Sequence, residues 1–332
     1  LASTQALQNQ PVLYGGQAVI EGVMIRGRSR AALAVRRPDG SIIRRSIPLE
    51  SWANSQLRKI VMLRGVLILL ETLLVGMKSL TISANEAAIA ENPDEEQPLS
   101  SVAMASLLAI SLLLGIVIFF LIPVFISRIV ENAGANNFGA NMVEGLIRLV
   151  LFVGYVWVIG KMNDIKRVFG YHGAEHMVVH AYEAREPLTI ESVRRFPAAH
   201  PRCGTSFLMT VVIVSIILFM FFPRDPFWFL LVSRIVLVPI IAGISYEFIR
   251  FAGTHQDNVW IRVFNSPNLL LQDLTTRKPD DGMVEVAITA IDYAIALDDG
   301  RAVPNDDSST LSTEPYMPGT ADPDPPDTSP GF

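Results

Sequence analysis

The chain runs in long apolar stretches separated by short polar ones. The run from Ser100 to Ile126 contains no charged residue. Residues 207–222 and 228–250 form two more runs, parted by Pro223-Arg224-Asp225-Pro226, and residues 143–160 form a fourth, charged only near its start at Glu144 and Arg148. An apolar stretch of about 18 residues or more suffices to cross a bilayer as a helix. A soluble helix or strand would break such a run at a 3.6- or 2-residue period. The pattern therefore predicts a mainly α, polytopic helical membrane protein with four transmembrane helices, arranged as hairpins over 100–160 and 207–250. A further apolar segment, 59–81, lies between Lys59 and Lys78 and carries Arg64 and Glu71 inside it.

The polar regions predict the rest. Residues 12–50 read as a small N-terminal β unit: Ala32–Val35 and Ser41–Ile43 flank Pro38-Asp39-Gly40, a strong turn signal. Glycines 15, 16, 22 and 27 precede it without the spacing or strand–helix context of a phosphate loop, so tight turns and close packing are expected of them. Over 283–297, Val284, Ile288, Ile291 and Ala294 would line one face of an amphipathic helix packed on the cytoplasmic body, within a segment spanning 251–298. Residues 1–11 and 299–332 are expected to be disordered, the latter by its Asp, Pro, Ser and Thr content. Residues 85–99 read as an acidic linker.

Composition supports the membrane reading: half of the residues are hydrophobic and 18% are charged, too apolar for an average soluble domain. The net charge of -5 averages a basic front and an acidic tail; residues 1–59 carry nine Arg and Lys against three Asp and Glu. Short loops rich in Lys and Arg stay in the cytoplasm. Segment 161–206 holds Lys161, Lys166, Arg167, Arg185, Arg194, Arg195 and Arg202, whereas 223–227 has only Arg224 and 124–142 only Arg128. The insert 161–206 is thus expected inside, with both termini. A crossing at 59–81 would put the Arg-rich front outside, so residues 51–84 are expected to form a re-entrant or interfacial helix; the alternative is a fifth crossing whose charges face the bundle. No cleavable secretory signal is expected at the start, and the single Cys203 excludes an internal disulfide.

Candidate chemistry concentrates in Tyr171-His-Gly-Ala-Glu-His-Met-Val-Val-His180. On a helix, His172 and His176 sit one turn apart and can share a metal ion, with Glu175 between them as H-x-x-E-H, the inverted zinc-hydrolase pattern in which the glutamate activates water. His180 continues the stripe but drifts by about 40° per four residues. A third ligand is sought in His200, Cys203 or Glu247, with His255 a few residues beyond. Cys203 beside His200 and Arg202 could alternatively be a thiolate nucleophile. Within or near the apolar runs, Glu144 and Arg148 form an i, i+4 pair, Arg234 can snorkel, and Glu247 after Tyr246 has Arg250 as its expected partner. Glu21 is the one acid of the glycine-rich stretch, and Glu175 has Lys166 or Arg167 as a structural alternative.

The runs GGQAVIEGVMIRG (15–27), YHGAEH (171–176), HPRCGTSF (200–207), AGISYE (242–247) and LQDLTTRKPDD (271–281) resemble the YqhQ-like family of bacterial membrane proteins over about residues 12–295. The resemblance implies a predicted metal-dependent enzyme of the bacterial inner membrane and brings no substrate. Glu21, His172, Glu175, His176, His200, Cys203 and Glu247 fall on its motifs, whereas His180 and His255 fall outside them. The expectation is a cytoplasm-facing, zinc-type hydrolase acting at the lipid bilayer on a lipid-linked or membrane-protein substrate, without a nucleic-acid partner. Its rivals are a membrane assembly or chaperone-like factor with a structural metal clip, and a small transporter. The sequence leaves the oligomeric state open.

Overall fold

The computed structural model describes residues 14–49, 60–91, 101–200, 203–255 and 258–301. The chain is mainly helical with a small antiparallel sheet at its front. The sheet is a meander of β1 (Gly15–Val19), β2 (Gly22–Arg26), β3 (Arg30–Arg36) and β4 (Ile42–Pro48). Pro38-Asp39-Gly40 makes the last turn: Gly40 takes φ +88, and the Asp39 carboxylate accepts the Ser41 N–H. Such a turn suits glycine because a Cβ disfavours positive φ.

Side chains alternate across a pleated sheet, and here both faces are buried. Val23, Ile25, Ala32 and Ala34 pack on two helices that come much later, α5 (Asn163–Glu183) and α11 (Asp281–Asp298). Met24, Ala31, Leu33, Val35 and Ile43 face the other way, onto Val75 of α1 (Leu63–Glu91). The helix expected over 283–297 is therefore α11, buried on more of its circumference than one stripe: Val284, Val286, Ala287, Ala290 and Ile291 are all fully covered.

Helix α1 is amphipathic in an inverted sense. Its sheet-facing side carries Glu71, Val75, Ser79, Ser83 and Glu86, all buried. Glu71 accepts a 2.6 Å bond from Arg26, and Glu86 binds Arg37 at 2.7 Å and Arg45 at 3.3 Å. Its outward side carries Leu70, Leu73, Leu74, Met77 and Leu80, all exposed. The helix runs on to Glu91, so the linker expected from residue 85 is helical over its first part. The sheet supplies cations that make Glu86 a buried partner, which local composition could not reveal; residues 92–99 lie outside the described residues.

Among the described residues three helices are long and apolar enough to cross a membrane, or four if one bent pair is a single span. The first is Leu63–Ala87 of α1. The second is Ser106–Asn132, formed by α2 (Ser101–Ile116), a π-helical stretch Val117–Leu121 and α3 (Ile122–Asn132). The third is α4 (Asn137–Ile159). The bent pair is α8 (Phe227–Val236) with α9 (Val238–Thr254), which turn by 42° at Leu237. Pro239 follows that break, and a proline inside a helix removes a backbone donor and bends the axis. The single helix expected over 228–250 is thus two segments. Helix α7 (Gly204–Phe219), after the short α6 (Ile190–Val193), is apolar but shorter.

A buried charge cluster ties α3, α4 and α8 together. Glu144 accepts bonds from Arg148 (2.8 Å), Arg224 (2.8 Å) and Arg234 (2.8 and 2.9 Å). Arg224 also binds Glu131, Asn141 and Ser127. Arg148 donates to the Phe119 carbonyl inside the π-helical stretch at 3.0 Å; a π turn is often found where a helix serves a local site. Arg234, expected to snorkel to the surface, is 2% exposed instead. The carboxylate of Glu144 and the Phe219 ring, 4.1 Å from its guanidinium, hold it inward.

Candidate metal centre

Helix α5 lays His172, His176 and His180 along the side that meets an irregular arm, residues 197–200. The arm passes main-chain carbonyls to the rings. His176 Nδ1 lies 2.6 Å from the Ala198 carbonyl and His180 Nε2 lies 2.9 Å from that of Ala199. His172 Nδ1 lies 2.8 Å from the Thr275 carbonyl at the end of α10 (Val259–Thr275). A carbonyl only accepts, so each facing ring nitrogen carries the proton. The lone pairs of His172 and His176 are thereby assigned to Nε2. This carbonyl-fixed tautomer is the usual support of a metal-binding histidine.

The Nε2 of His172 lies 3.1 Å from Cys203 Sγ. One ligand atom from each of His172, His176 and Cys203 lies within 4.8 Å of the others. His176 is 2% exposed, and its Nε2 has no hydrogen-bond partner among the described residues. A buried polar atom left without a partner costs free energy, so this nitrogen calls for a ligand. Cys203 is buried at the N-cap of α7, accepting the Thr205 N–H at 3.4 Å. Cysteine is not among the preferred capping residues, so helix capping does not account for it.

Glu175 lies behind the histidines, 3.6 Å from His176 Nε2, and accepts the Gly16 N–H at 2.9 Å. Burial pushes its carboxyl above the ordinary carboxylate range; His172, His200 and the Gly16 N–H act the other way, and Glu183 adds to the rise. A carboxylate with raised proton affinity is suited to take a proton from water. Gly16 is required by packing: a Cβ there would sit 2.0 Å from the Met24 carbonyl oxygen of β2.

His200 is held through its backbone. The buried Gln272 amide accepts the His200 N–H and donates to its carbonyl, both at 2.9 Å. The His200 ring stands between those of His176 and His180, with centroids at 5.8 and 4.3 Å. Its Nε2 lies 3.4 Å from Glu183 Oε2. Gln272→Ala would remove both bonds that clamp the His200 main chain, leaving its carbonyl only the Cys203 N–H at 3.2 Å, so a loss of about 2 kcal/mol is expected, read as a lowered unfolding temperature of the detergent-solubilised protein. An unchanged melting curve would mean the clamp is idle.

Glu175, His176, His200 and Cys203 line one cavity of about 380 Å³, whose other walls include Gly16, Gln17 and Arg26 of the sheet and Thr72 and Val75 of α1. Glu247, Glu21 and His255 lie outside both this cavity and the grouped ligand atoms. Glu247 is paired with Arg64 through both carboxylate oxygens. The hydrogen-bonding partner is thus Arg64 rather than the expected Arg250, because α1 packs its first turn on α9, where Tyr246 closes on Gly65. Glu21 takes φ +52 in the β1–β2 turn and accepts bonds from Arg167 (2.5 Å) and Tyr171 (3.2 Å). It buckles the sheet to α5 and takes Arg167, one of the two cations expected as alternatives for Glu175. His255 is exposed and bonds the Phe251 carbonyl at 3.0 Å.

A family described as "Protein of unknown function (DUF1385)" matches residues 60–297. The chain belongs to this family. A relative, the "Uncharacterized protein YqhQ" of Bacillus subtilis (strain 168), is 35% identical over 298 residues, covering 87% of this chain and 94% of its own. No solved structure matches the chain.

Three site residues escaped the sequence reading. Glu183 lies eleven residues after His172, about 20° from it around a helix of 3.6 residues per turn, so continuing the stripe past His180 would have found it. Gln272 lies in the 271–281 motif, but its role needs the arm beside it. Gly16 acts through its backbone, which no residue-type argument reveals.

Proposed function

We propose that the protein is a metal-dependent hydrolase of the bacterial inner membrane, with a cytoplasm-facing site that acts on a lipid-linked molecule or a membrane-protein segment. The observation that carries this reading is the buried Nε2 of His176, which makes no hydrogen bond among the described residues, beside His172 and Cys203. Imidazole and thiolate are both zinc ligands, and a catalytic zinc takes three protein ligands with one position left open. These three residues would hold the ion, which when bound would polarise a carbonyl or phosphoryl oxygen. Glu175 takes the proton from the attacking water, its own proton affinity raised by burial. The Gly16 N–H fixes the carboxylate, which lines the same cavity as His176 and Cys203.

The inverted faces of α1 support the membrane-side substrate. A helix with Leu70, Leu73, Leu74, Met77 and Leu80 outward and Glu71, Ser79 and Glu86 inward suits the plane of the interface, lipid on one side and the polar sheet on the other. In that arrangement α1 does not cross, the Arg-rich front and both termini stay in the cytoplasm, and Thr72 and Val75 set the cavity wall beside the lipid.

Two measurements test the reading. Elemental analysis of protein purified without chelator should find bound zinc, and its absence would end the proposal. The protein should also produce a mass change in a bacterial membrane lipid or peptide extract that Glu175→Gln, with its metal retained, does not produce. Metal retention with no such change would favour a structural clip.

A further inference from the structure

We infer that His180, Glu183 and His200 form a second divalent-cation position beside the first, so that the centre holds two ions. One ligand atom from each of these residues lies within 4.8 Å of the others. None of the three belongs to the His172, His176 and Cys203 group, so the two triads use separate side chains. The donor set suits the same borderline cations as the first: two imidazoles and a carboxylate are a set that zinc uses in hydrolytic sites.

Three features hold this second triad in place. His180 is positioned by the bond from its Nε2 to the Ala199 carbonyl, which leaves the ring's lone pair on Nδ1, and by stacking on Phe196 at 6.3 Å with planes 8° apart. His200 is fixed from behind by Gln272. Glu183 faces the His200 ring from the next turn of α5.

The two triads adjoin, since the His200 ring lies next to both His176 and His180. Paired ions about 3.5–4 Å apart are a recurrent device of enzymes that hydrolyse phosphate esters and peptides. The inference deepens the hydrolase reading, narrows its substrate class to phosphoesters and peptide-like bonds, and rests on that reading for its chemistry; the second position itself does not require the first to be filled.

The test uses the full chain in detergent, stripped with chelator, loaded with Zn2+, freed of excess metal and analysed for ions per chain. Wild type is expected to retain two. Glu183→Gln and His172→Asn should each retain one, and the double variant none. His180→Gln should repeat the Glu183→Gln result, which guards against a folding defect in either variant. Loading with Co2+ separates the positions, because only an ion at Cys203 gives a sulfur-to-metal charge-transfer band; Glu183→Gln should keep that band and His172→Asn should lose it. One ion in wild type, lost in His172→Asn and unaffected by Glu183→Gln, would overturn the second position and leave the first standing. One ion lost in Glu183→Gln but kept in His172→Asn would do the reverse. No retained ion in any form would overturn both.

Discussion

Glu144→Gln is expected to destabilise the protein by about 3–5 kcal/mol, the cost typical of breaking a buried ion pair from one side. The carboxylate takes bonds from Arg148, Arg224 and Arg234, whose side chains are 6%, 0% and 2% exposed. Glutamine matches its shape but carries no charge and directs N–H groups at one of the cations. Glu131 reaches only Arg224, so the other two guanidiniums would be left in an apolar surrounding that strongly disfavours unpaired charge. The contrast is Glu191→Gln, which breaks an i, i+4 pair with Arg195 whose side chains are 87% and 69% exposed. That pair contributes only about 0.3–0.5 kcal/mol. Thermal unfolding in one detergent should separate the two variants clearly. A Glu144→Gln protein melting with Glu191→Gln would mean that the cluster does not hold α3, α4 and α8 together.

His176→Asn should cost one bound metal equivalent. Asparagine can still donate to the Ala198 carbonyl through its amide, as His176 Nδ1 does at 2.6 Å, but it puts no lone pair where Nε2 stands. The local fold is therefore kept while one of three donors goes. Losing an outer-shell partner typically lowers metal affinity ten- to a hundredfold, so losing a direct donor should exceed that. A ligand that binds only the folded state at about a thousand times its Kd adds roughly 4 kcal/mol. Chelator should accordingly lower the unfolding temperature of the wild type more than that of the variant. Equal metal content and equal chelator shifts in both proteins would count decisively against this centre.

The experiments differ in how far they depend on the sequence pattern. The H-x-x-E-H spacing put His172, Glu175 and His176 on one helix, and helical periodicity sufficed because the three lie within one turn. Cys203 was legible only as a candidate, since it lies thirty-one positions after His172 in the chain. The choice among His200, Cys203 and Glu247 depended on which elements pack together. Arg64 claims Glu247 because α1 meets α9, whereas the arm sets His200, and the start of α7 sets Cys203, beside α5. The supporting atoms were still less legible: the carbonyls of Thr275, Ala198 and Ala199 and the N–H of Gly16 are present in every residue and gain a role only through position.

By itself the sequence determined the apolar runs, the small sheet with its Pro38-Asp39-Gly40 turn, the helix that carries the histidines and its membership of a family. These rest on local periods and turn chemistry, which short stretches specify. Only the tertiary structure decided that α1 turns its polar side to the sheet and its leucines outward, that α8 and α9 bend at Leu237, and that Arg234 is buried on Glu144. It also decided which donors share a cavity and which nitrogen of His172, His176 and His180 meets a main-chain carbonyl. Those outcomes depend on partners distant in sequence, and a buried charge or an imidazole tautomer is set by the group that packing brings to it.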